Sequence, residues 1–161
     1  MDCPLCCRQG ALPFFEDSRR RYYQCSECRL VFVPPAQYPG REAEKAEYDL
    51  HRNSPHDQGY RRFLSRLFQP MHRRLAAGSH GLDFGAGPGP TLSVMFEEAG
   101  FAVSLYDPFY APDVTVLGRA YDFVTATEVV EHLHRPGLDL ARVWNALLAV
   151  DYPLPRMAEG V

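Results

Sequence analysis

A run of alternating glycines near the middle of the chain constrains the fold more than any other feature. Residues 81–90 have the sequence Gly-Leu-Asp-Phe-Gly-Ala-Gly-Pro-Gly-Pro, which is typical of a buried strand that ends in a glycine turn. Gly85, Gly87 and Gly89 remove Cβ atoms where the backbone must bend tightly and where a ligand can approach it. We expect a helix over residues 91–99 directly afterwards. The stretch therefore predicts a nucleotide-binding turn between a strand and a helix.

The residues that follow support this interpretation. Residues 101–106 form a short apolar run with β-branched and aromatic side chains, and Asp107 comes directly after it, 18 residues beyond Gly89. In a doubly wound sheet, an acid about 20 residues past the glycine turn is placed to accept hydrogen bonds from ribose hydroxyls. Alternatively, Asp107 and Pro108 simply open a loop.

Two enzyme classes use such an architecture, and the glycine spacing distinguishes them. Dinucleotide-dependent oxidoreductases need Gly-x-Gly-x-x-Gly to hold a pyrophosphate, whereas this chain has Gly-x-Gly-x-Gly preceded by Asp83. A carboxylate at the mouth of the turn would repel a pyrophosphate and would suit an amino-acid ammonium group. A nicotinamide-dependent reductase is therefore the less favoured alternative.

Two segments together carry a resemblance to a known family. Residues 83–89, Asp-Phe-Gly-Ala-Gly-Pro-Gly, resemble the first motif of class I S-adenosylmethionine-dependent methyltransferases. Residues 121–133, Tyr-Asp-Phe-Val-Thr-Ala-Thr-Glu-Val-Val-Glu-His-Leu, resemble the fourth-strand motif of the same family. The resemblance implies an α/β fold, a partial Rossmann-like doubly wound sheet of about four strands. It also implies S-adenosylmethionine as the cofactor and a small molecule as the methyl acceptor.

The resemblance also implies which residues hold the cofactor. Asp83 and the backbone of residues 85–89 would hold the methionine part, Asp107 the ribose, and residues 127–129 would border the sulfonium. The complete implied set is Asp83, Phe84, Gly85, Ala86, Gly87, Gly89, Asp107, Pro108, Thr127, Glu128 and Val129. An adenine-contacting residue is not evident from the sequence.

Glu131 and His132 are the candidates for an acid/base pair. Methyl transfer is an in-line displacement from an activated sulfonium, so it needs chiefly positioning, and a base only when the acceptor must lose a proton. The family motif implies instead that these two residues shape the pocket floor.

Four cysteines define a separate N-terminal feature. Cys3-x-x-Cys6 and Cys25-x-x-Cys28, with 18 residues between the pairs, have zinc-ribbon spacing. Four thiolates satisfy the tetrahedral preference of zinc with no open position, so we expect a structural Zn²⁺. Disulfides are the alternative, less favoured in a chain that begins without a leader sequence. Cys7 is left over, and we interpret it as a bystander.

Composition restricts the remaining possibilities. The chain has 161 residues, 46% of them hydrophobic, which suits one core with a small appendage. A formal charge of −3 argues against nucleic-acid binding. No segment approaches the roughly 20 apolar residues of a membrane helix. We therefore expect a cytoplasmic protein with no membrane segment.

We predict four regions along the chain. They are a zinc ribbon at 1–35, a linker with an amphipathic helix at 36–79, a cofactor-binding domain at 80–148 and a non-family tail at 149–161. Within the second region, Tyr48 and Tyr60 are candidates for a cofactor lid. The arginine-rich face of the amphipathic helix is either solvated or a patch for an anionic substrate.

The final part of the chain departs from the family pattern. We expect a third strand at 114–117, a fourth at 123–127, and a last helix whose apolar stripe includes Leu138 and Trp144. Beyond it, Pro153 and Pro155 exclude the fifth strand that the family has. The sequence thus resembles a truncated member, whose fourth strand would be an exposed edge prone to self-association and whose activity could be lost. The alternative is a non-catalytic zinc-ribbon module, for binding or regulation, on a remnant methyltransferase scaffold.

Overall fold

The computed structural model describes residues 1–51 and 53–147. The predicted tail at 149–161 lies outside these described residues. Strands and helices within them are β1 (Leu12–Glu16), β2 (Arg21–Gln24), β3 (Val31–Phe32), α1 (Arg41–Tyr48), α2 (Gln58–His72), β4 (His80–Phe84), α3 (Thr91–Glu98), β5 (Ala102–Tyr106), β6 (Phe123–Thr125) and α4 (Pro136–Leu147). Short 3₁₀ helices lie at Pro35–Gln37, Val114–Gly118 and Val130–His132.

The N-terminal strands form a small antiparallel sheet in the order β1-β2-β3. The hairpin between β1 and β2 turns at Asp17, whose Oδ1 accepts hydrogen bonds from the backbone N–H groups of Arg19 and Arg20, each at 2.7 Å. Its buried core consists of only Cys3, Cys25 and Phe32. Apolar burial this small cannot stabilise a fold by itself, so the ribbon depends on additional links.

The second sheet is parallel, in the order β5-β4-β6. Asp83 on β4 lies opposite Leu105 on β5 and Thr125 on β6. Because all three strands run in the same direction, their carboxyl ends meet at one edge of the sheet. In open α/β sheets this edge is where ligands bind.

Helices cover both faces of the parallel sheet. On one face, Leu64 of α2 and Phe96 of α3 pack with Phe101 and Phe123. On the other face, Ala146 of α4 joins the buried cluster that contains Leu82 and Phe84. Helices on both faces of a parallel sheet confirm the predicted doubly wound α/β class.

The predicted third strand of this sheet is wrong. Residues 114–118 form a 3₁₀ helix rather than a strand, so the parallel sheet has three strands in the described residues instead of about four. Asp113 causes the difference, because its Oδ1 accepts hydrogen bonds from the Thr115 N–H at 2.9 Å and the Thr115 hydroxyl at 2.7 Å. Such local side-chain bonds favour a capped turn over an extended strand. The predicted fourth strand forms, but it ends at Thr125 rather than at residue 127.

The last helix forms where predicted, but its predicted apolar stripe faces the sheet only in part: Val143 packs against the buried cluster of Leu82 and Phe84. Leu138 and Trp144 were expected to pack inward, yet they are 56% and 43% exposed. Pro136 and Ala146 are buried in their place. The carbonyl of Ala146 accepts a hydrogen bond from the Tyr121 N–H at 2.9 Å, which joins the end of the helix to the residues before β6.

The amphipathic helix α2 continues through Pro70 and ends at His72. Arg61 on its polar side pairs with Glu98 of α3. Within residues 1–51 and 53–147, no helix combines the length and the apolar composition that crossing a bilayer requires.

Replacing Phe96 with alanine tests the position of the main core. Its side chain is fully buried, between α2, α3 and the sheet. We expect Phe96→Ala to lower the free energy of unfolding by about 3–5 kcal/mol, because it removes a large apolar group and leaves a cavity. Urea unfolding measures the change. Phe14→Ala is the control, since Phe14 is 57% exposed and its loss should change the free energy by less than about 0.5 kcal/mol. Equal effects of the two changes would contradict the packing described above.

Candidate functional site

A cavity of about 1060 Å³ opens at the carboxyl ends of the parallel strands. This is at the upper end of the range of about 300–1,000 Å³ that small-molecule sites occupy. Each of the eleven residues predicted to hold a cofactor, from Asp83 to Val129, contributes to its lining. His132 also lines the cavity, whereas Glu131 is not among the lining residues and is exposed.

The glycine turn after β4 forms the floor of the cavity. The N–H groups of Gly85 and Ala86 both donate to the Tyr106 carbonyl, at 2.7 and 3.2 Å, and so join the turn to the end of β5. Gly85 has a φ of +76°, and a Cβ atom there would overlap the side chain of Val129. Only glycine both adopts this φ without strain and leaves room for the Val129 side chain.

Asp83 is a buried carboxylate at the start of this turn. Its two oxygens accept hydrogen bonds from the Ser93 hydroxyl at 2.7 Å and the Thr125 hydroxyl at 2.8 Å. No lysine or arginine among the described residues forms an ion pair with it. Burial raises the pKa of Asp83, the two hydroxyl bonds lower it, and the charge of Asp107 raises it further. A cation in the cavity would supply the missing countercharge.

Asp107 joins the end of β5 to the glycine turn. Its Oδ2 accepts a hydrogen bond from the Gly87 N–H at 2.9 Å. Its Oδ1 accepts from the N–H groups of Phe109 and Tyr110, at 2.8 and 3.0 Å. Asp107 therefore organises the loop after β5, as the loop-opening alternative predicted. It also lines the cavity, as a ribose-binding residue must.

The segment after β6 contributes the opposite side of the floor. Glu128 has a φ of +56°, in the left-handed region that a residue with a Cβ atom occupies only at a cost. The Oγ1 atom of Thr127 is buried and has no hydrogen-bond partner among the described residues. Strained backbone and an unpaired buried hydroxyl at one place are typical of a binding site.

Helix α1 spans the mouth of the cavity and contacts the loop after β5. The Arg41 guanidinium donates to the Pro108 carbonyl at 2.8 Å and lies 4.7 Å from the centre of the Phe109 ring. Directly after the helix, Asp49 accepts a hydrogen bond from the Tyr110 hydroxyl at 2.6 Å.

The same helix also contacts the segment after β6. Tyr48 packs edge-on against His132 with ring centres 5.6 Å apart, and Glu44 lies 3.5 Å from His134 Nε2. His134 in turn stacks on Tyr38 at 4.5 Å. Burial raises the pKa of Tyr48 to about 12, so the phenol stays neutral and donates to Glu44 Oε1 at 3.3 Å. Helix α1 thus bridges the two sides of the cavity.

The sequence analysis identified part of this outer wall. Both candidate lid residues, Tyr48 and Tyr60, line the cavity. It missed Arg41, Glu44 and His134, which line it as well. A signal was present for the first two, because Arg41, Glu44 and Tyr48 recur at intervals of three and four residues on one face of the predicted helix.

The charges around the cavity are mostly negative. Five carboxylates line it, namely those of Glu44, Asp83, Asp107, Glu128 and Asp139. Arg41 is the single lysine or arginine among the described lining residues. The arginines of α2 are not among the lining residues, so the suggested anionic-substrate patch has no support from this surface.

The four cysteines of the ribbon converge on one point. Their sulfur atoms lie within 4.8 Å of one another, with Cys3 Sγ 3.5 Å from Cys28 Sγ and Cys6 Sγ 3.6 Å from Cys25 Sγ. Tetrahedral zinc with bonds of about 2.3 Å would place the sulfurs about 3.8 Å apart. All four cysteines are free, and the separations are too long for disulfides. The cluster therefore fits a tetrahedral metal ion, and the exposed Cys7 is not part of it.

A comparison with protein families agrees with this geometry. The family model described as "Methyltransferase domain" matches residues 50–149, more than half of the 161 residues. No curated protein and no solved structure matches the chain. The match includes the glycine turn, Asp107 and the whole of the segment after β6. The chain belongs to the methyltransferase domain family.

Proposed function

We propose that this chain binds S-adenosylmethionine in the cavity and is a methyltransferase that acts on a small molecule. The observation that carries the proposal is the buried carboxylate of Asp83, which lies at the glycine turn without a cationic partner among the described residues. Membership of the methyltransferase domain family implies the use of this cofactor. The carboxylates that line the cavity also support S-adenosylmethionine, because they favour a cationic ligand over an anionic one.

The residues present fit the two ends of the cofactor. At the methionine end, Asp83 offers a countercharge to the ammonium group, and Thr127 Oγ1 offers an unpaired hydroxyl. At the ribose end, Asp107 Oδ2 accepts a single hydrogen bond in the protein, from the Gly87 N–H. A carboxylate oxygen can accept two, which leaves one for a ribose hydroxyl.

The same charges disfavour a nicotinamide dinucleotide. Its pyrophosphate would lie against the glycine turn, beside the carboxylates of Asp83 and Asp107. Arg41 is the lining cation, and its guanidinium is already engaged by Pro108 and Phe109. A doubly charged anion would therefore be bound without compensation.

The cofactor supplies an activated methyl group, and the chain's own residues supply position and enclosure. The acceptor would enter the outer half of the cavity, where Tyr38, Glu44, Tyr48 and His134 form the wall. These residues precede the parallel sheet or follow β6. His132 is the candidate for accepting a proton from the acceptor, because it lines the cavity and Glu131 does not.

We propose that Cys3, Cys6, Cys25 and Cys28 hold a structural Zn²⁺. Two of these thiols are buried, and all four sulfurs are engaged by one another, so the set has no open position for catalysis. The backbone N–H groups of Cys28 and Glu27 point toward the Cys25 sulfur and lower the pKa of that thiol to about 7. Burial acts in the opposite direction on the Cys28 thiol and raises its pKa to about 12, so a bound metal would itself have to drive deprotonation of the full set.

The second candidate function is a non-catalytic binding module. It is favoured by strand β1, where Leu12, Phe14 and Phe15 are each more than half exposed. Such a module would not need a cavity that binds S-adenosylmethionine. The binding experiments below therefore separate the two candidates.

Replacing Asp107 tests the cofactor site directly. We expect Asp107→Ala to weaken the binding of S-adenosylmethionine and S-adenosylhomocysteine roughly 10- to 150-fold, because it removes a charged hydrogen-bond acceptor. Calorimetric titration of the zinc-loaded chain measures the dissociation constants. The control is Asp2→Ala, an exposed carboxylate far from the turn in sequence. Absence of binding to the unaltered, folded chain would contradict the proposal and favour the non-catalytic module.

Replacing Asp83 separates binding from stability. Because burial raises its pKa above the ordinary 3.8, the folded chain is penalised as the pH rises from 3.8 to the raised value. Asp83→Asn removes the ionised group, so we expect the free energy of unfolding at pH 7 to increase by about 1 kcal/mol or more, roughly 2–4 °C in Tm. The gain should shrink toward zero as the pH falls to 3.8.

The same variant should lose the rise in Tm that S-adenosylmethionine causes in the unaltered chain. Thermal melts with and without the cofactor, across a pH series, measure both effects, with Asp2→Asn as the exposed control. A variant that is less stable at pH 7 yet still binds the cofactor would show that Asp83 is purely structural.

The zinc site predicts opposite outcomes for two cysteines. We expect one zinc per chain in the unaltered protein and in Cys7→Ser, and loss of zinc in Cys25→Ser, because four thiolates are needed to close the site. Elemental analysis after dialysis against a weak chelator measures the content. Retention of full zinc by Cys25→Ser would exclude the proposed ligand set.

A further inference from the structure

The knuckle between Cys3 and Cys6 rests on the start of helix α4. The Gly137 N–H donates to the carbonyl of Pro4 at 3.1 Å. A Cβ atom at Gly137 would overlap the carbonyl oxygen of Leu5 and would lie 3.2 Å from that of Pro4. The two segments therefore meet backbone to backbone, and only glycine allows this approach.

The same part of the chain forms a wall of the cavity. His132, Leu133 and His134 line it before Gly137, and Asp139 lines it two residues after. Pro136 is buried at the start of α4. A displacement of Gly137 therefore moves residues that face the cavity on both sides of the contact.

The ribbon contacts this wall at a second point. The chain leaves β3 and passes through Pro35 to Tyr38, both of which line the cavity. Tyr38 stacks on His134 with ring centres 4.5 Å apart. The knuckle and the linker thus hold residues 132–139 from two directions.

The shape of the knuckle depends on the metal. The buried core of the ribbon is limited to Cys3, Cys25 and Phe32, and two of these are proposed ligands. Without an ion, the four sulfurs have no strong attraction that would hold the knuckle against the hairpin. Metal binding in such small modules is closely linked to their folding.

We propose that the metal-bound knuckle holds residues 132–139 in place, so that metal binding to the cysteines and cofactor binding to the cavity stabilise each other. This inference rests on the proposed function, since it concerns the same cavity and the same cysteines. Coupling between two binding equilibria is reciprocal, so each ligand must raise the affinity for the other by the same factor.

The first experiment compares S-adenosylhomocysteine binding to the zinc-loaded and the metal-stripped chain by calorimetry. We expect at least about 5-fold weaker binding after stripping, the lower end of typical coupling. Chelator competition should show zinc affinity rising by the same factor when S-adenosylhomocysteine is present. Circular dichroism verifies that the stripped chain keeps its helices.

A substitution at the contact gives a test that does not require removal of zinc. Gly137→Ala forces the knuckle away from α4, and we expect zinc-loaded Gly137→Ala to bind S-adenosylhomocysteine at least about 5-fold more weakly than the unaltered chain while keeping one zinc. Alanine normally stabilises a helix relative to glycine, so a loss cannot come from helix propensity. Gly118→Ala is the matched control, because nothing lies within 4 Å of a Cβ atom there.

The outcomes distinguish this inference from the proposed function. No binding of S-adenosylhomocysteine to the loaded, unaltered chain contradicts both. Binding that is equally tight in the loaded unaltered chain and in loaded Gly137→Ala overturns the coupling alone. If the metal-stripped chain unfolds, zinc-loaded Gly137→Ala tests the coupling instead, since it retains zinc and changes only the contact between the knuckle and α4.

Discussion

The carboxylate of Asp83 is the interaction on which the methyltransferase domain depends most. Its hydrogen bonds to Ser93 and Thr125 join β4 to α3 on one side and to β6 on the other. The register between β4 and β6, with Asp83 opposite Thr125, brings the residues after β6 to the glycine turn. Through these two hydrogen bonds, one buried side chain links three elements, at the point where a cationic ligand would lie.

The cavity is closed from the N-terminal side. Helix α1 has no buried residue of its own, and it is held instead by side-chain contacts to the loop after β5 and to the segment after β6. Tyr38 adds a contact from the linker that follows the ribbon. Residues that precede the sheet thus complete a site whose floor is built by the sheet. This arrangement gives the ribbon, with its four clustered cysteines, a physical connection to the methyltransferase domain that is matched from residue 50 onward.

Local chemistry explains which features could be predicted from the sequence. The glycine turn, Asp107 and the four cysteines lie together as predicted because backbone geometry and spacing, which the sequence states directly, decide their positions. Residues 114–117 form a 3₁₀ helix instead of the expected strand, because the side chain of Asp113 caps a turn there. The prediction of a strand considered the β-branched residues and not this cap. The apolar stripe predicted for α4 is only partly buried, because the buried face depends on which neighbours the helix meets, such as the Cys3–Cys6 knuckle at Gly137, and not on the helix alone. The role of α1 depends on tertiary contacts such as that between Glu44 and His134; the spacing of residues on the helix marks one face but does not identify the partners of that face.

Three unfavourable features lie close together in the cavity. The Asp83 charge is buried, the Thr127 hydroxyl is unpaired, and Glu128 has a left-handed backbone. Each typically costs on the order of 1–3 kcal/mol. A cation that also bonds the Thr127 hydroxyl would offset the cost of the buried Asp83 charge and that of the unpaired hydroxyl. Glu128, with its left-handed backbone, directly precedes Val129, whose side chain lies against Gly85. The free chain is thus less stable than its fold would allow, and that deficit is available to favour a bound ligand of matching charge.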